Sequence, residues 1–329
     1  SAPNIRLLSL RHKRNEGEKI KMKKIKTIFT ALMAASLLLS ATACGAVTAE
    51  TSATTAAASA TTSAAASQSE TSAAASETSA ASSLSGSLVL TGSTSMADVA
   101  TALAEAFMKA NTNVTVSVGG NGSGEGPTAV NDGTAQIGML SRDLKDTETP
   151  EAFDKYIIGY DGIAVIVNSA VGVTALAKDQ VVKIFKGEIT NWKDVGGTDA
   201  VIQCIGREAA SGTRGAFEEL LEIKDACVYK EEQNSTGNVK QAVASNPNAI
   251  GYVSLSAVDD TVVAVDFDGV AATTDNVSNG TYTLQRPFVM IDKAGTTDAL
   301  TTAFLDFVFS DAGMKIVADD GVVPNPGKN

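Results

Sequence analysis

The stretch SGTRGAF, residues 211–217, sets a serine, a threonine, two glycines and an arginine at the start of an apolar helical pattern. The first N–H groups of a helix lack intrahelical partners, and the aligned peptide dipoles place partial positive charge there. An anion suits such a place, although Ser211 or Thr213 can equally serve as a simple N-cap. The pattern recurs along the chain: TGSTSM at 91–96, NGSGEG at 121–126 and LSRDL at 140–144 each put hydroxyls and free backbone amides after a strand-like run. Several donor-rich turns at strand ends are suited to holding an oxyanion, where a single one would be only a turn. NGSGEG is not a nucleotide fingerprint, because it lacks the G-x-G-x-x-G spacing and no G-K-[ST] follows.

Composition excludes several alternatives. The chain has 329 residues and a formal net charge of −11; residues 87–329 hold 17 Lys plus Arg against 32 Asp plus Glu, a formal charge of −15. Nucleic acid and anionic membrane surfaces are poor partners for such a domain. Its one histidine, His12, lies far upstream, so histidine-based catalysis and His-ligated zinc are excluded from residues 87–329. No Cys or His cluster and no dense aspartate grouping offers a metal site or a nucleophile, which points to a binding protein without cofactor or metal, not to a phosphatase or other enzyme. Cys204 and Cys227 have no metal-type spacing and are left open as a disulfide pair.

The first 86 residues read as export and tethering. Residues 22–43 run from lysines through an apolar stretch to small residues ending in ATACG, the layout of a secretory signal. Cys44 stands where a lipoprotein signal places its lipidated cysteine, although Ala41 replaces the usual leucine. The apolar run is short of the ~20 residues that span a bilayer. Residues 1–21 are expected to be translated upstream sequence. Residues 44–86, almost all Ala, Ser and Thr, are expected to be a disordered tether with a reach of roughly 35 Å. Such a chain sits outside the cell, held to the outer face of the cell membrane by lipid at Cys44 alone.

Positioning the donor turns requires strands and helices in alternation. GSLVLTG precedes a helical pattern from Ala97; NVTVSVGG precedes a short helix near Pro127; IIGYDGIAVIVN is apolar on both faces; VIQCIGREAASGTRGAFEELLE is again strand, polar loop, helix. This order implies an α/β fold with mainly parallel sheets, whose ligands gather at the carboxyl ends of the strands.

Eight motifs, TGSTSM, NGSGEG, IGMLSRDLKDTE, YDGIAVIVN, IFKGEITNWKDVGG, REAASGTRGAF, NPNAIGYVSL and LDFVFSDAGMKIVADDGVVP, occur in the order seen in phosphate-binding lipoproteins of the PstS family. Across residues 87–329 the chain resembles the short Gram-positive form of this substrate-binding component of the phosphate ABC transporter. The resemblance implies a two-lobed periplasmic-binding-protein fold of type II-like form with the ligand cleft between lobes. Lobe I is expected over 87–158 and 257–329 and lobe II over 159–256, with crossings near 158–160 and 254–258. It implies a monomer that binds inorganic phosphate and hands it to permease subunits driven by a cytoplasmic ATPase. Sulfate or molybdate reception and a non-transport adhesin are the alternatives.

By the same resemblance Thr94 and Ser95, Ser123, and Arg207 with Ser211, Gly212 and Thr213 match phosphate ligands. Long family members place an aspartate after the third strand, where this chain has Ser141 and Arg142. Arg142 is therefore expected as an added cationic ligand, and Asp161 as the carboxylate that accepts the proton of monohydrogen phosphate and so repels sulfate. Arg214 is expected to support the site without touching the ligand.

Overall fold

The computed structural model describes residues 84–328; the expectations for the leader, the signal, Cys44 and nearly all of the tether lie outside the described residues. Strands β1 (Gly86–Gly92), β2 (Val114–Gly120) and β3 (Ile137–Leu140) form a parallel set, with helix α1 (Ala97–Ala110) between the first two and α2 (Glu125–Asn131) between the next. Strand β4 (Phe153–Val167) is followed by α3 (Lys178–Phe185), β5 (Gln203–Arg207), α4 (Gly212–Leu220), β6 (Glu231–Gln233), α5 (Thr236–Ser245) and β7 (Ala249–Ser254). Short α6 (Thr274–Ser278), strand β8 (Gln285–Lys293), α7 (Ala299–Val308) and α8 (Asp311–Asp319) complete the order.

The strands join in the order β2-β1-β3-β8-β4-β7-β5-β6. The sheet is mixed where the sequence implied mainly parallel pairing. β8 runs antiparallel to both β3 and β4, and β4 runs antiparallel to β7, whereas β1 with β2 and β3, and β5 with β6 and β7, are parallel. The helix-connected strands are parallel because a helical crossover returns the chain in the same direction; β4 and β8 are the long strands that cross between the two halves.

Each half has its own core. Leu90, Val99, Leu103, Phe107, Met139, Phe288, Phe304 and Val317 pack in one cluster, with Phe107 edge-on to Phe304 at 5.2 Å. Val165, Phe185, Trp192, Phe217 and Tyr252 pack in the other, where the Phe217 and Tyr252 rings stack at 4.1 Å. The end of β4 is buried on both faces. Ile163, Val165 and Val167 enter the second core, while Ala164 and Ile166 enter a separate cluster with Val239 and Val253, as the two-residue period of a strand requires.

The first crossing lies within β4, where pairing passes from β8 at Gly162 to β7 at Ile163. The return, expected near 254–258, comes later. Val265, Phe267, Val277, Tyr282 and Leu284 are buried in the second core, so residues up to 284 pack with the second half and the chain re-enters the first half along β8. Apolar side chains after β7 still had a face of the second core to cover, which the alternation of strands and helices does not reveal. Cys204 and Cys227 are both free thiols.

Asp292 lies opposite Asp154 across β8 and β4; it is 1% exposed and one of its carboxylate oxygens has no partner. Burial, and after it the neighbouring Asp154 charge, push its carboxyl up to about 6. A carboxyl that holds its proton more tightly folded than unfolded contributes stability below the ordinary carboxylate range and loses it as pH rises through about 6. Asp292→Asn is therefore expected to raise Tm relative to the parent by a margin that widens from about pH 4.5 to about pH 7.5. Parallel thermal melts check this, and a margin independent of pH would count against it.

Candidate functional site

The donor turns converge at the junction of the two halves. β1 ends at Gly92, whose φ of 136° turns the chain where a side chain would collide with the Met139 carbonyl. That turn delivers Ser93, which caps the next turn by accepting a hydrogen bond from the Ser95 N–H at 3.2 Å, and so fixes Thr94 and Ser95 ahead of α1. The glycine loop after β2 is pinned by Asn121 and Gly122 N–H groups donating to the Gly92 carbonyl, both at 2.8 Å. It buries Ser123, whose hydroxyl accepts from the Ser141 N–H at 3.0 Å and lies 3.3 Å from the Ser141 hydroxyl.

The second half brings Arg207 at the end of β5 and the SGT turn opening α4. Ser211 is the N-cap of α4, its hydroxyl accepting from the Arg214 N–H at 3.2 Å, so the simple reading of that serine holds locally. Gly212 sits so close to Ser123 and Ser141 that a Cβ there would collide with both hydroxyls. Thr213, 1% exposed, meets the Ser95 hydroxyl at 2.8 Å. Arg207 is also 1% exposed; its Nε and Nη2 fork onto Glu208 at 2.8 Å each, leaving Nη1 facing the Thr236 hydroxyl at 3.3 Å. Arg214 donates to the Arg207 carbonyl at 2.8 Å and pairs with Glu218 and Glu232, so it holds the Arg207 backbone.

Two expected residues are placed differently. Arg142 forks onto Glu148 at 2.8 and 2.6 Å and also donates to the Asp143 carbonyl at 2.8 Å, so its guanidinium is committed to its own loop and not to the cluster. A glutamate six residues on, in a tight turn, outcompetes a more distant site. Asp161 is buried near the cluster, but its Oδ1 accepts from the Ser254 hydroxyl at 2.8 Å and its Oδ2 from Arg286 Nη2 at 2.9 Å and Nε at 3.2 Å. Burial pushes its carboxyl above the ordinary range, against the pull of Arg286 and Ser254.

Thr236, Ser254 and Arg286 complete the cluster and were not anticipated. Thr236 opens α5 and lies 3.1 Å from both the Ser95 and Thr94 hydroxyls. Its signal was the same as that of the SGT turn, a serine and threonine, Ser235-Thr236, at a helix start. Arg286 is the one basic residue between Lys240 and Lys293, set in the apolar run RPFVMI. A charge inside a strand that must be buried calls for a buried partner, and that was a legible sign. Among the described residues no group of three or more His, Cys, Asp and Glu side chains could hold a metal ion. The arrangement is thus a cluster of hydroxyls, backbone amides and two arginines contributed by both halves, a donor set suited to a tetrahedral anion.

The model of the PBP superfamily domain matches residues 46–312. The phosphate-binding protein PstS of Bacillus subtilis is 35% identical over 244 residues, covering 73% of this chain and 81% of that protein. The chain belongs to the PstS family of phosphate-binding proteins. Among solved structures, a putative phosphate ABC transporter substrate-binding protein from Clostridium perfringens, with bound phosphate, is 40% identical with a TM-score of 0.71 and covers 73% of this chain and all of that one. An ABC-type phosphate transport receptor from Vibrio cholerae is 35% identical with a TM-score of 0.62, covering 72% of this chain and all of that one. The periplasmic-binding-protein fold implied by the motifs is thus the fold of this PstS-family chain, and the family is one of substrate-binding proteins, not enzymes.

The contact between halves makes a specific demand on Gly212. Gly212→Ala forces a Cβ into the Ser123 and Ser141 hydroxyls and is expected to destabilise the fold by about 1–3 kcal/mol. Gly215→Ala meets only Arg142 Cδ at 3.6 Å and is expected to be neutral or slightly stabilising in the same helix. Denaturant unfolding of the two variants checks the contrast.

Proposed function

We propose that this chain binds inorganic phosphate outside the cell in a cage formed by Thr94, Ser95, Ser123, Ser141, Arg207, Ser211, Gly212, Thr213 and Thr236, and delivers it to the permease of an ABC transporter driven by a cytoplasmic ATPase. The observation that carries the reading is the meeting of hydroxyls from both halves, Ser95 with Thr213 at 2.8 Å and with Thr236 at 3.1 Å, beside a buried Arg207. A dianion removed from water needs many short, charge-assisted hydrogen bonds from fixed donors. Hydroxyls that bond one another across the junction supply those donors by turning their protons to the anion, and backbone amides at the α4 start add more. Arg207 supplies charge that is already buried and already held.

The two halves act as lobes that close over the ion, with β4 and β8 as the crossing strands. The lobes take residues 87 to about 162 and 286–329 on one side and the intervening segment on the other. Lipid at Cys44 and the Ala/Ser/Thr-rich tether keep the receptor, a monomer, beside the membrane. The acidic net charge does not oppose binding, because surface charges are screened within about 8 Å at physiological salt whereas cage donors touch the ion.

Calorimetric titration of the purified chain, freed of anion by unfolding and refolding, tests this reading. One-to-one binding of phosphate with sulfate much weaker is the expected result. Arg207→Ala is expected to weaken phosphate binding by about 10- to 100-fold, the loss of a hydrogen bond to a charged group. Heat on adding sulfate but not phosphate, or with neither anion, would sink it.

A further inference from the structure

Arg286 is a buried cation at the point where the two crossing strands pair, its partner in register being Asp161. Its Nε and Nη2 are forked onto Asp161, and its Nη1 donates to two groups from opposite halves, the Ser141 carbonyl at 3.2 Å and the Thr213 hydroxyl at 2.7 Å. The Phe288 ring lies 5.3 Å beneath the guanidinium and further fixes its plane. A guanidinium can only donate. The Thr213 oxygen must therefore accept from Arg286, which leaves the single Thr213 proton to point away, toward Ser95 and the cage. Arg207 imposes the same restriction on Thr236, since its Nη1 donates to that hydroxyl.

We propose that Arg286 is a positioning residue of the anion cage: clamped by Asp161, it compels the Thr213 hydroxyl to act as a donor to the bound anion. Asp161 serves by holding Arg286 and does not receive a proton from the ligand. The inference rests on the phosphate reading above. The charged and titratable groups that act on the pair are Arg207, Tyr282 and Asp320, and the Ser254 hydroxyl donates to the remaining Asp161 oxygen. Both oxygens of Asp161 are already accepting, Oδ1 from Ser254 and Oδ2 from Arg286.

The test is a double-mutant cycle on the full chain, titrated with inorganic phosphate and with sulfate, using Arg286→Gln, Thr213→Val, the pair together, and Asp161→Asn. Arg286→Gln is expected to weaken phosphate binding by about tenfold or more in the parent, and most of that loss is expected to vanish when Thr213 is already valine. An undiminished loss in the Thr213→Val background would overturn the proposal, because Arg286 would then act without Thr213. Asp161→Asn is expected to weaken phosphate and sulfate by similar factors and leave their ratio near that of the parent. A marked gain in sulfate relative to phosphate would instead make Asp161 the proton acceptor and overturn the assignment. Should Arg286→Gln fail to fold, Asp161→Asn takes its place in the cycle with Thr213→Val, because it releases the fork that clamps Arg286: a loss that shrinks in the Thr213→Val background supports the proposal, and an undiminished loss overturns it. A parent chain that binds no phosphate would defeat the functional reading as well, whereas an additive cycle in a phosphate-binding parent defeats only this one.

Discussion

Two opposite charges, Asp161 and Arg286, sit 2.9 Å apart with almost no exposure to water at the place where the chain crosses between its two halves. Desolvating both ions costs several kcal/mol each, and their attraction offsets this only when geometry and additional hydrogen bonds are good. Here they are: the fork on one carboxylate oxygen is matched by Ser254 on the other, and the remaining guanidinium donors reach Ser141 and Thr213. The pair therefore registers β4 against β8 and at the same time ties the end of β3 to the start of α4. Loss of either partner leaves an uncompensated buried charge in the same few ångströms that hold the donor turns.

That arrangement gives the proposed cage of small neutral side chains a means to be specific. A hydroxyl is both donor and acceptor, and by itself it does not commit to an anion. Commitment comes from neighbours that can only donate. Arg286 does this for Thr213, Arg207 for Thr236, and the backbone N–H of Ser141 for Ser123. The helix starts at α4 and α5 add amides and partial positive charge. Acidic residues over the rest of the molecule would change little for an anion held there, since the proposed donors would touch it and the surface charges are screened.

The scaffold keeps these groups in place by packing. Each half has a closed apolar core with aromatic pairs at its centre, and the strands that carry the turns are buried within it. Tight approaches at Gly92 and Gly212 leave no space for a side chain: the turn after β1 lies against Met139 of β3 in its own half, and the start of α4 comes close to Ser123 and Ser141 of the opposite half. A network of Arg214, Glu218, Tyr229 and Tyr252 grips the backbone of Arg207 from behind, which lets its guanidinium face the cage without drifting.

The sequence by itself determined what is local. Alternating apolar runs marked the strands, helical spacing marked α1 and α4, and the recurrence of hydroxyl and glycine turns after strands marked Thr94, Ser95, Ser123 and Ser211 to Thr213 as groups suited to an anion; the order of motifs then carried the family. Tertiary structure alone decided the rest. Arg286 lies 125 residues from Asp161 and 73 from Thr213, and Thr236 lies 142 from Thr94, so no local pattern pairs them. Arg142 read as a ligand by type and position, yet a glutamate within the same loop takes both arms of its fork. Residues 257–284 likewise packed with the second half because its core had an uncovered face. Periodicity and turn chemistry report which way a side chain faces along its own element; which charge it meets depends on how distant elements stack, and a buried charge is settled only by the partner that the whole fold brings to it.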